Sequence, residues 1–267
     1  MTAEGALRNK KGPLARFVET QQERMSVVLK CLRNPRFAYE KLQMEFRSPD
    51  PVYLEQAQWI FGNLPRTALN QVLPQAREFD LKLVRPFDRT WGTSQTIEEL
   101  ACLLAIATAV QAKKILEIGT WDGNTTVNLA EATGGSVTTV DLPVDQQTGS
   151  SGVPNMTDRA QLGRQFRGHP CEARIRQVYG DSTRIDWGTL GSPFDLIFID
   201  GAHHYEFVAR DTENARAHLA PGGAIVWHDY GLFEDVSRVV DAAALTAKEL
   251  KIHAIEGTRL AVGLKGR

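Results

Sequence analysis

The sequence is poor in cysteine and has no long apolar run. Its three cysteines, Cys31, Cys102 and Cys171, lie far apart, with neither the paired spacing of a metal knuckle nor the density of a disulfide scaffold. The longest apolar stretch, Leu100 to Val110, is too short to span a bilayer. The polar start, Met1 to Lys11, lacks the apolar region of a secretory signal. We therefore expect a cytoplasmic protein with reduced thiols and no membrane partner.

Neither positive nor negative charge is in excess in this sequence. The net charge of the 267 residues is -1, with 42% hydrophobic and 24% charged residues, close to the averages for globular domains. A chain with this charge has no general attraction to nucleic acid or to an anionic membrane. We therefore expect neither as a partner.

The first ninety residues differ in character from the rest. Lys, Arg, Glu and Gln are abundant there, apolar residues recur at helical spacing, and prolines interrupt the pattern. Residues 1–50 carry ten Lys or Arg against six Asp or Glu, which a solvated helical face or a partner surface explains. We predict an N-terminal helical segment over residues 1–90, a cap or a surface for homo-oligomerisation, followed by a catalytic domain over residues 91–267.

Strands and helices alternate in the second part of the chain. Thr96 and Glu99 form a capping box, which begins a helix that runs to about Val110. A Gly257 turn predicts a closing hairpin. The strands are predicted at Lys114 to Ile118, Ser136 to Val140, Arg174 to Val178, Phe194 to Ile199, Ala224 to Trp227, Ile252 to Ile255 and Leu260 to Leu264. The further helices are predicted at Thr125 to Ala132, Tyr205 to Leu219 and Phe233 to Leu250. This order predicts an α/β fold: a Rossmann-like, doubly wound, mostly parallel seven-stranded sheet with a terminal antiparallel hairpin.

The turn after the first of these strands carries the clearest chemical signal. Residues 115–126 read ILEIGTWDGNTT, an apolar strand that carries Glu117 near its end and runs through Gly119 and Gly123 into a helix. A dinucleotide pyrophosphate requires Gly-x-Gly-x-x-Gly, whereas these glycines stand four apart. The expected ligand therefore has no pyrophosphate, and a carboxylate beside an open loop favours a cationic, amino-acid-like molecule.

Carboxylates also follow the other predicted parallel strands, at the edge where open α/β sheets bind ligands. Asp141, 22 residues after Gly119, stands where an acid would accept hydrogen bonds from ribose hydroxyls, although a surface carboxylate is the alternative. Asp181 and Ser182 would reach an adenine amino group, or else form an ordinary capped loop. Asp200 ends the fourth strand.

The fifth strand ends in His228 and Asp229. Asp195, by contrast, lies at the opposite end of its strand from Asp200, so we exclude it from the same site.

Two further segments complete a pattern with the glycine turn. Residues 194–206 read FDLIFIDGAHHYE and residues 221–230 read PGGAIVWHDY. Together the three segments resemble the class I S-adenosylmethionine-dependent methyltransferases, and among them the bacterial sugar and macrolide O-methyltransferases. The resemblance covers Thr93 to Leu264. It implies that S-adenosylmethionine binds at Glu117, Gly119, Thr120, Trp121, Gly123, Asp141, Asp181, Ser182 and Asp200.

The resemblance also implies a divalent cation, Mg²⁺ first of all, which in metal-dependent relatives binds the substrate hydroxyls. Its ligands would be Asp200, Asp229 and His228. This chain departs from those relatives, since His228 and Tyr230 stand beside Asp229 where a second Asp or an Asn is usual. Mg²⁺ prefers oxygen ligands, so metal dependence stays open.

The expected reaction is methyl transfer to a hydroxyl of a small molecule, such as a sugar, polyketide or phenolic natural product. His203, three residues past Asp200, is our candidate for the general base, because imidazole accepts a proton near neutral pH. Asp200 is the second catalytic candidate, and local bonding at a helix start is the alternative role for His203. Two other functions stay open: a nicotinamide-dependent oxidoreductase, for which Thr125 fails to supply the third glycine, and a non-catalytic methyltransferase-like binding subunit.

Overall fold

The computed structural model describes residues 32, 33, 35, 61–84, 95–143 and 160–267. The chain divides into two compact units, Met1–Ile60 and Phe61–Arg267, and the second holds the sheet together with the helices that pack on it. The helices predicted before residue 60 lie outside the described residues, apart from those three positions. The cap or oligomerisation role of residues 1–90 stays a prediction.

A single sheet of eight strands runs through the described part of the second unit. Its strands are β1 Arg66–Thr67, β2 Lys114–Ile118, β3 Ser136–Asp141, β4 Ile175–Tyr179, β5 Phe194–Ile199, β6 Leu219–Trp227, β7 Leu250–Ile255 and β8 Ala261–Lys265. Their order in the sheet is β1-β7-β8-β6-β5-β2-β3-β4, and all neighbours pair in parallel except that β8 is antiparallel to both β6 and β7.

Helices cover both faces of this sheet. In the described part of the second unit, the α-helices are α1 Leu69–Val72, α2 Ile97–Ala109, α3 Asn124–Thr133, α4 Tyr205–His218 and α5 Glu234–Thr246. Apolar side chains alternate along β2, so that Ile115 packs on one side with α2 and α3, and Leu116 packs on the other with α4 and α5. The two clusters form the layers of a doubly wound domain.

The predicted α/β fold is confirmed, including its mostly parallel sheet and its closing antiparallel hairpin. One strand was missed: β1 has only two residues and pairs with β7 beyond the predicted edge of the sheet. Two residues cannot display a period of two, so no pattern could reveal it. Helix α5 also ends at Thr246, four residues before the predicted Leu250, which begins β7 instead. Among the described residues, no helix combines the length and the hydropathy needed to cross a membrane.

The capping box at the start of α2 is present as predicted. The Thr96 hydroxyl accepts the Glu99 backbone N–H at 3.2 Å, and the Glu99 carboxylate accepts the Thr96 N–H at 2.8 Å. Glu99 is nevertheless only 1% exposed, which is unusual for a glutamate in the first turn of a helix. A buried carboxylate of this kind requires a positively charged partner.

Candidate active site

The carboxyl ends of five parallel strands form one continuous rim. Beyond the strands, backbone hydrogen bonds extend the sheet so that each connecting loop leaves at the same level. The bonds run from the N–H of Gly119 to Val140, of Asp200 to Ile118, of His228 to Ile199 and of Gly180 to Asp141, at 2.8, 2.8, 3.0 and 2.9 Å. The candidate residues that follow these strands therefore lie along a single edge, as open parallel sheets require for a ligand site.

The glycine turn fits closely against the neighbouring strand end. Gly119 has φ of +98°, and a Cβ at this position would collide with the backbone carbonyl of Asp200. Gly123, with φ of +82°, forms the N-cap of α3 in the left-handed conformation. Trp121 between them also has a positive φ of 48°, which is costly for a bulky side chain. The turn above β2 is therefore strained, and neither of its two glycines carries a side chain.

Glu117 lies beneath this turn and is completely buried. Its Oε2 atom accepts hydrogen bonds from the hydroxyls of Thr126 and Thr139, while Oε1 has no partner among the described residues. Burial raises the pKa of Glu117 to about 8. The two hydrogen bonds lower this pKa, and the charges of Asp200 and Asp141 raise it further. The predicted cofactor contact is therefore a neutral acid at pH 7 that ties β2 to α3 and β3.

Because Glu117 binds its proton more tightly in the folded state, stability should fall as pH rises. The native protein holds more protons than the unfolded chain between the ordinary glutamate pKa and about 8, so the free energy of unfolding decreases across that window. We expect Glu117→Gln to flatten this decrease. Urea unfolding at pH 5.5, 7.0 and 8.5 measures it, and an equal slope for the variant and the wild type would contradict the assignment.

Asp141 fastens the glycine turn to the end of β3. Its Oδ2 atom accepts the backbone N–H groups of Thr120 at 3.0 Å and Trp121 at 2.9 Å. Burial raises its pKa, although these same hydrogen bonds work in the opposite direction. Asp141 is half-buried and structured, and not the free surface carboxylate that was the alternative.

Asp181 and Ser182 form a tightly bonded turn after β4. The Asp181 carboxylate accepts both the backbone N–H and the hydroxyl of Thr183, at 2.9 and 2.6 Å. The turn also lies beside Asp211 on α4, whose pKa burial raises to about 7. A hydrogen bond to Ser182 lowers this pKa, and the charge of Asp181 raises it. The turn matches the capped loop that was the alternative for this segment, and an adenine contact there stays a prediction.

His203 and Asp229 meet at the mouth of the site. The His203 Nε2 atom lies 2.9 Å from Asp229 Oδ2, and its ring stacks on Phe233 with centroids 4.1 Å apart. A carboxylate at Nε2 fixes the proton there and leaves Nδ1 as the basic nitrogen. Nδ1 has no hydrogen-bond partner among the described residues. His203 lines a small cavity that Asp200 and His228 also line.

His228 is buried at the centre of a charged cluster. Its Nδ1 atom lies 3.1 Å from Asp200 Oδ1 and 3.2 Å from Asp229 Oδ1, and its Nε2 atom lies 3.2 Å from Glu99 Oε2. Although burial alone would lower it, the neighbouring charges of Asp200 and Asp229 raise the pKa of His228 well above its usual value. The ring therefore lies between three carboxylates, which favour its protonated form.

Arg259, in the turn between β7 and β8, completes the cluster. It donates to Glu99 through its backbone N–H, Nε and Nη2 at 2.8, 2.7 and 2.7 Å, and to Asp229 Oδ1 through Nη1 at 3.1 Å. Its side chain is 6% exposed. Burial alone would raise the pKa of both Glu99 and Asp229. The contacts with Arg259 and His228 outweigh burial, so that the pKa of Glu99 is lowered and that of Asp229 lies well below its usual range.

Sequence reasoning missed both Glu99 and Arg259 as members of the site. Glu99 was fully explained by its capping box, and Arg259 follows a turn with no motif around it. The two are 160 residues apart in sequence. The one available signal was an acid at a capping position followed by an apolar helix, which does not distinguish an exposed glutamate from a buried one.

The potential metal ligands differ from the predicted set. Within the described residues, Asp200, His203 and Asp229 offer ligand atoms within 4.8 Å of one another, and His203 stands where His228 was expected. Both oxygens of Asp229 and Oδ1 of Asp200, however, already face Arg259, His228 or His203. Carboxylate oxygens that already contact nitrogen-bearing side chains do not fit the ligand set of a divalent cation.

The family comparison places this rim inside a known domain. Residues 116–230 match the sequence model of the family described as "Methyltransferase domain". A comparison with curated proteins finds no match. The matched residues run from Leu116 in β2 to Tyr230 and include the glycine turn, Asp141, Asp200 and His203. The predicted resemblance to methyltransferases is thereby confirmed over these residues, which are fewer than half of the chain, and the domain bounds 91–267 stay a prediction.

Solved structures are similar to this chain over most of its length at low sequence identity. TomG from Streptomyces achromogenes, an O-methyltransferase in complex with SAM, is 18% identical with a TM-score of 0.51, over 76% of this chain and 92% of that chain. PaMTH1 from Podospora anserina, a methyltransferase bound to SAH, is 15% identical with a TM-score of 0.52, over 83% and 98%. An O-methyltransferase from Bacillus cereus in complex with SAH is 18% identical with a TM-score of 0.50, over 85% and 97%. At these identities the likeness establishes the fold.

Proposed function

We propose that this protein, which has the fold of these methyltransferases, is an S-adenosylmethionine-dependent O-methyltransferase acting on a hydroxyl of a small molecule. The observation that carries the proposal is the pairing of His203 with Asp229 on the same rim as the glycine turn. The acceptor class, a sugar, polyketide or phenolic natural product, follows from the resemblance of the sequence segments and belongs to the proposal.

The glycine turn suits the proposed cofactor better than it suits a dinucleotide. The turn has no side chain at Gly119 or Gly123, and Asp141 binds its backbone from β3. S-adenosylmethionine supplies a methyl group on a positively charged sulfur, and transfer leaves S-adenosylhomocysteine. The carboxylates of Asp141 and Asp200 on the rim favour that positive charge.

His203 is the proposed general base. Its Nδ1 nitrogen takes the proton of the acceptor hydroxyl as the oxygen bonds to the methyl carbon and the carbon–sulfur electron pair returns to sulfur. Asp229, 2.9 Å from Nε2, stabilises the resulting imidazolium, and the stacked ring of Phe233 keeps its plane fixed. Asp200, whose side chain is 25% exposed, is the most accessible carboxylate of the cluster and the one placed to contact a bound molecule.

The two alternatives are less well supported. A nicotinamide-dependent oxidoreductase would share the sheet, but the family match is to a methyltransferase domain and the third phosphate-loop glycine is missing. A non-catalytic binding subunit would have no need of the His203–Asp229 pair. Methyl transfer by the wild type excludes both alternatives.

Calorimetric titration with S-adenosylhomocysteine tests the cofactor part of the proposal. We expect stoichiometric binding to the wild type and at least about tenfold weaker binding to Asp141→Ala, because about 1.4 kcal/mol of lost support for the turn corresponds to a factor of ten. Asp195→Asn is the matched control, since that carboxylate caps Lys113 and Lys114 at the other end of the sheet. NAD binding in place of S-adenosylhomocysteine would contradict the proposal.

A further inference from the structure

We propose that the methyl-transfer site works without a divalent cation, because His228 lies against Oδ1 of both Asp200 and Asp229, and Arg259 lies against Oδ1 of Asp229, where a shared metal would bind. This inference rests on the proposed function of the same rim. It also departs from the metal-dependent enzymes that the sequence segments resemble. The positions of the two nitrogen-bearing side chains, and the contacts that hold them there, support it.

Neither oxygen of Asp229 is open to a metal. Oδ1 accepts a hydrogen bond from Arg259 Nη1 at 3.1 Å and lies 3.2 Å from His228 Nδ1. Oδ2 lies 2.9 Å from His203 Nε2. A cation would have to displace one of these groups from a residue that is only 5% exposed.

Asp200 faces His228 through one of its two carboxylate oxygens. Its Oδ1 atom lies 3.1 Å from His228 Nδ1, so the single ring nitrogen stands between the two carboxylates that would bridge a metal. A metal ion between Asp200 and Asp229 would take the place of that nitrogen.

Arg259 cannot withdraw at low cost. Glu99 accepts three of its N–H groups and is itself 1% exposed, and within the described part of the chain the other basic side chain beside it is His228. Moving the guanidinium away would take from this buried carboxylate its main partner, which is strongly unfavourable. The guanidinium also keeps its charge at any ordinary pH.

A permanent positive charge already lies among the carboxylates of the cluster. Glu99, Asp200 and Asp229 are faced by Arg259 and by the imidazole of His228, with ion-pair distances from 2.7 to 3.2 Å. A divalent cation added to this set would meet the permanent positive charge of Arg259 beside Asp229. Such repulsion opposes binding far more strongly in the protein interior than in water.

Titration of the full-length protein with Mn²⁺, in the presence of S-adenosylhomocysteine, tests the inference. Electron paramagnetic resonance measures the concentration of free Mn²⁺ at each step. We expect no binding to the wild type with a dissociation constant below about 1 mM. We expect His228→Asp, which replaces the intruding ring by an oxygen donor, to gain at least about tenfold in Mn²⁺ affinity. His253→Asp, with the same change of residue on β7, is the matched control and should gain nothing.

Two results would overturn the inference. In the first, the wild type binds Mn²⁺ stoichiometrically with a dissociation constant below about 1 mM, and Asp200→Asn weakens this binding at least about tenfold. The other is a folded His228→Asp protein that gains no affinity; if circular dichroism finds this variant unfolded, His228→Asn takes its place under the same criterion. The heat of S-adenosylhomocysteine binding is measured separately on the same protein, so failure of the proposed function and failure of this inference remain distinguishable.

Discussion

Glu99→Ala is expected to lower the free energy of unfolding by about 3–5 kcal/mol, the usual cost of removing one partner from a buried ion pair. The substitution leaves Arg259 and His228 without the carboxylate that faces both of them. It also removes half of the capping box at the start of α2, which adds to the loss. Urea unfolding followed by circular dichroism measures the change.

Glu98→Ala is the matched control for this prediction. Glu98 is the preceding residue in the same first turn of α2 and is exposed, so its removal should change stability by no more than about 0.5 kcal/mol. In a double-mutant cycle, Glu99→Leu combined with Arg259→Met should cost clearly less than the sum of the two single changes. Equal losses for Glu98→Ala and Glu99→Ala would show that the buried cluster does not stabilise the fold.

His203→Ala should reduce methyl transfer by about 10²- to 10⁴-fold, the typical contribution of a positioned general base. The affinity for S-adenosylhomocysteine should stay unchanged, because His203 is proposed to act on the acceptor. The measurement is the initial rate of label transfer from methyl-labelled S-adenosylmethionine, using the best acceptor from a panel of sugars, phenols and macrolide alcohols.

His204→Ala provides the control for the base. His204 is the exposed N-cap residue of α4 and makes no side-chain capping bond, so its removal should leave the rate within about twofold, a difference of less than about 0.5 kcal/mol. If His203→Ala and His204→Ala had the same rate, proton removal by His203 would be excluded and the role of the His203–Asp229 pair would be structural.

Much of the fold was predictable because its signals are local. The central strands β2 and β5 are short apolar runs between turn residues, and their predicted bounds agree with the structure. The capping box of Thr96 and Glu99 likewise depends only on residues three apart. The rim could be predicted in turn, since parallel strands place their carboxyl ends at one edge whatever the loops contain.

The direction of the side chains on that rim was not predictable. The contact of Glu117 with the cofactor stays a prediction, but the sequence did not indicate that its carboxyl group lies under the turn and accepts hydrogen bonds from two threonine hydroxyls. His228 was expected beside Asp200 and Asp229, and its Nδ1 atom does lie there, but its Nε2 atom faces Glu99, which the sequence did not indicate. Both outcomes depend on partners far away in sequence, and a single chain gives no local pattern that identifies such partners.

A crystal structure of the full-length protein with S-adenosylhomocysteine would test the position of the site directly. We predict the ligand along the rim, with its ribose at Asp141, its amino-acid end above the Gly119–Gly123 turn and its sulfur on the side of His203. A ligand seated elsewhere on the protein, or a well-ordered structure in which saturating S-adenosylhomocysteine leaves this rim empty, would contradict the assignment of the site and of the reaction.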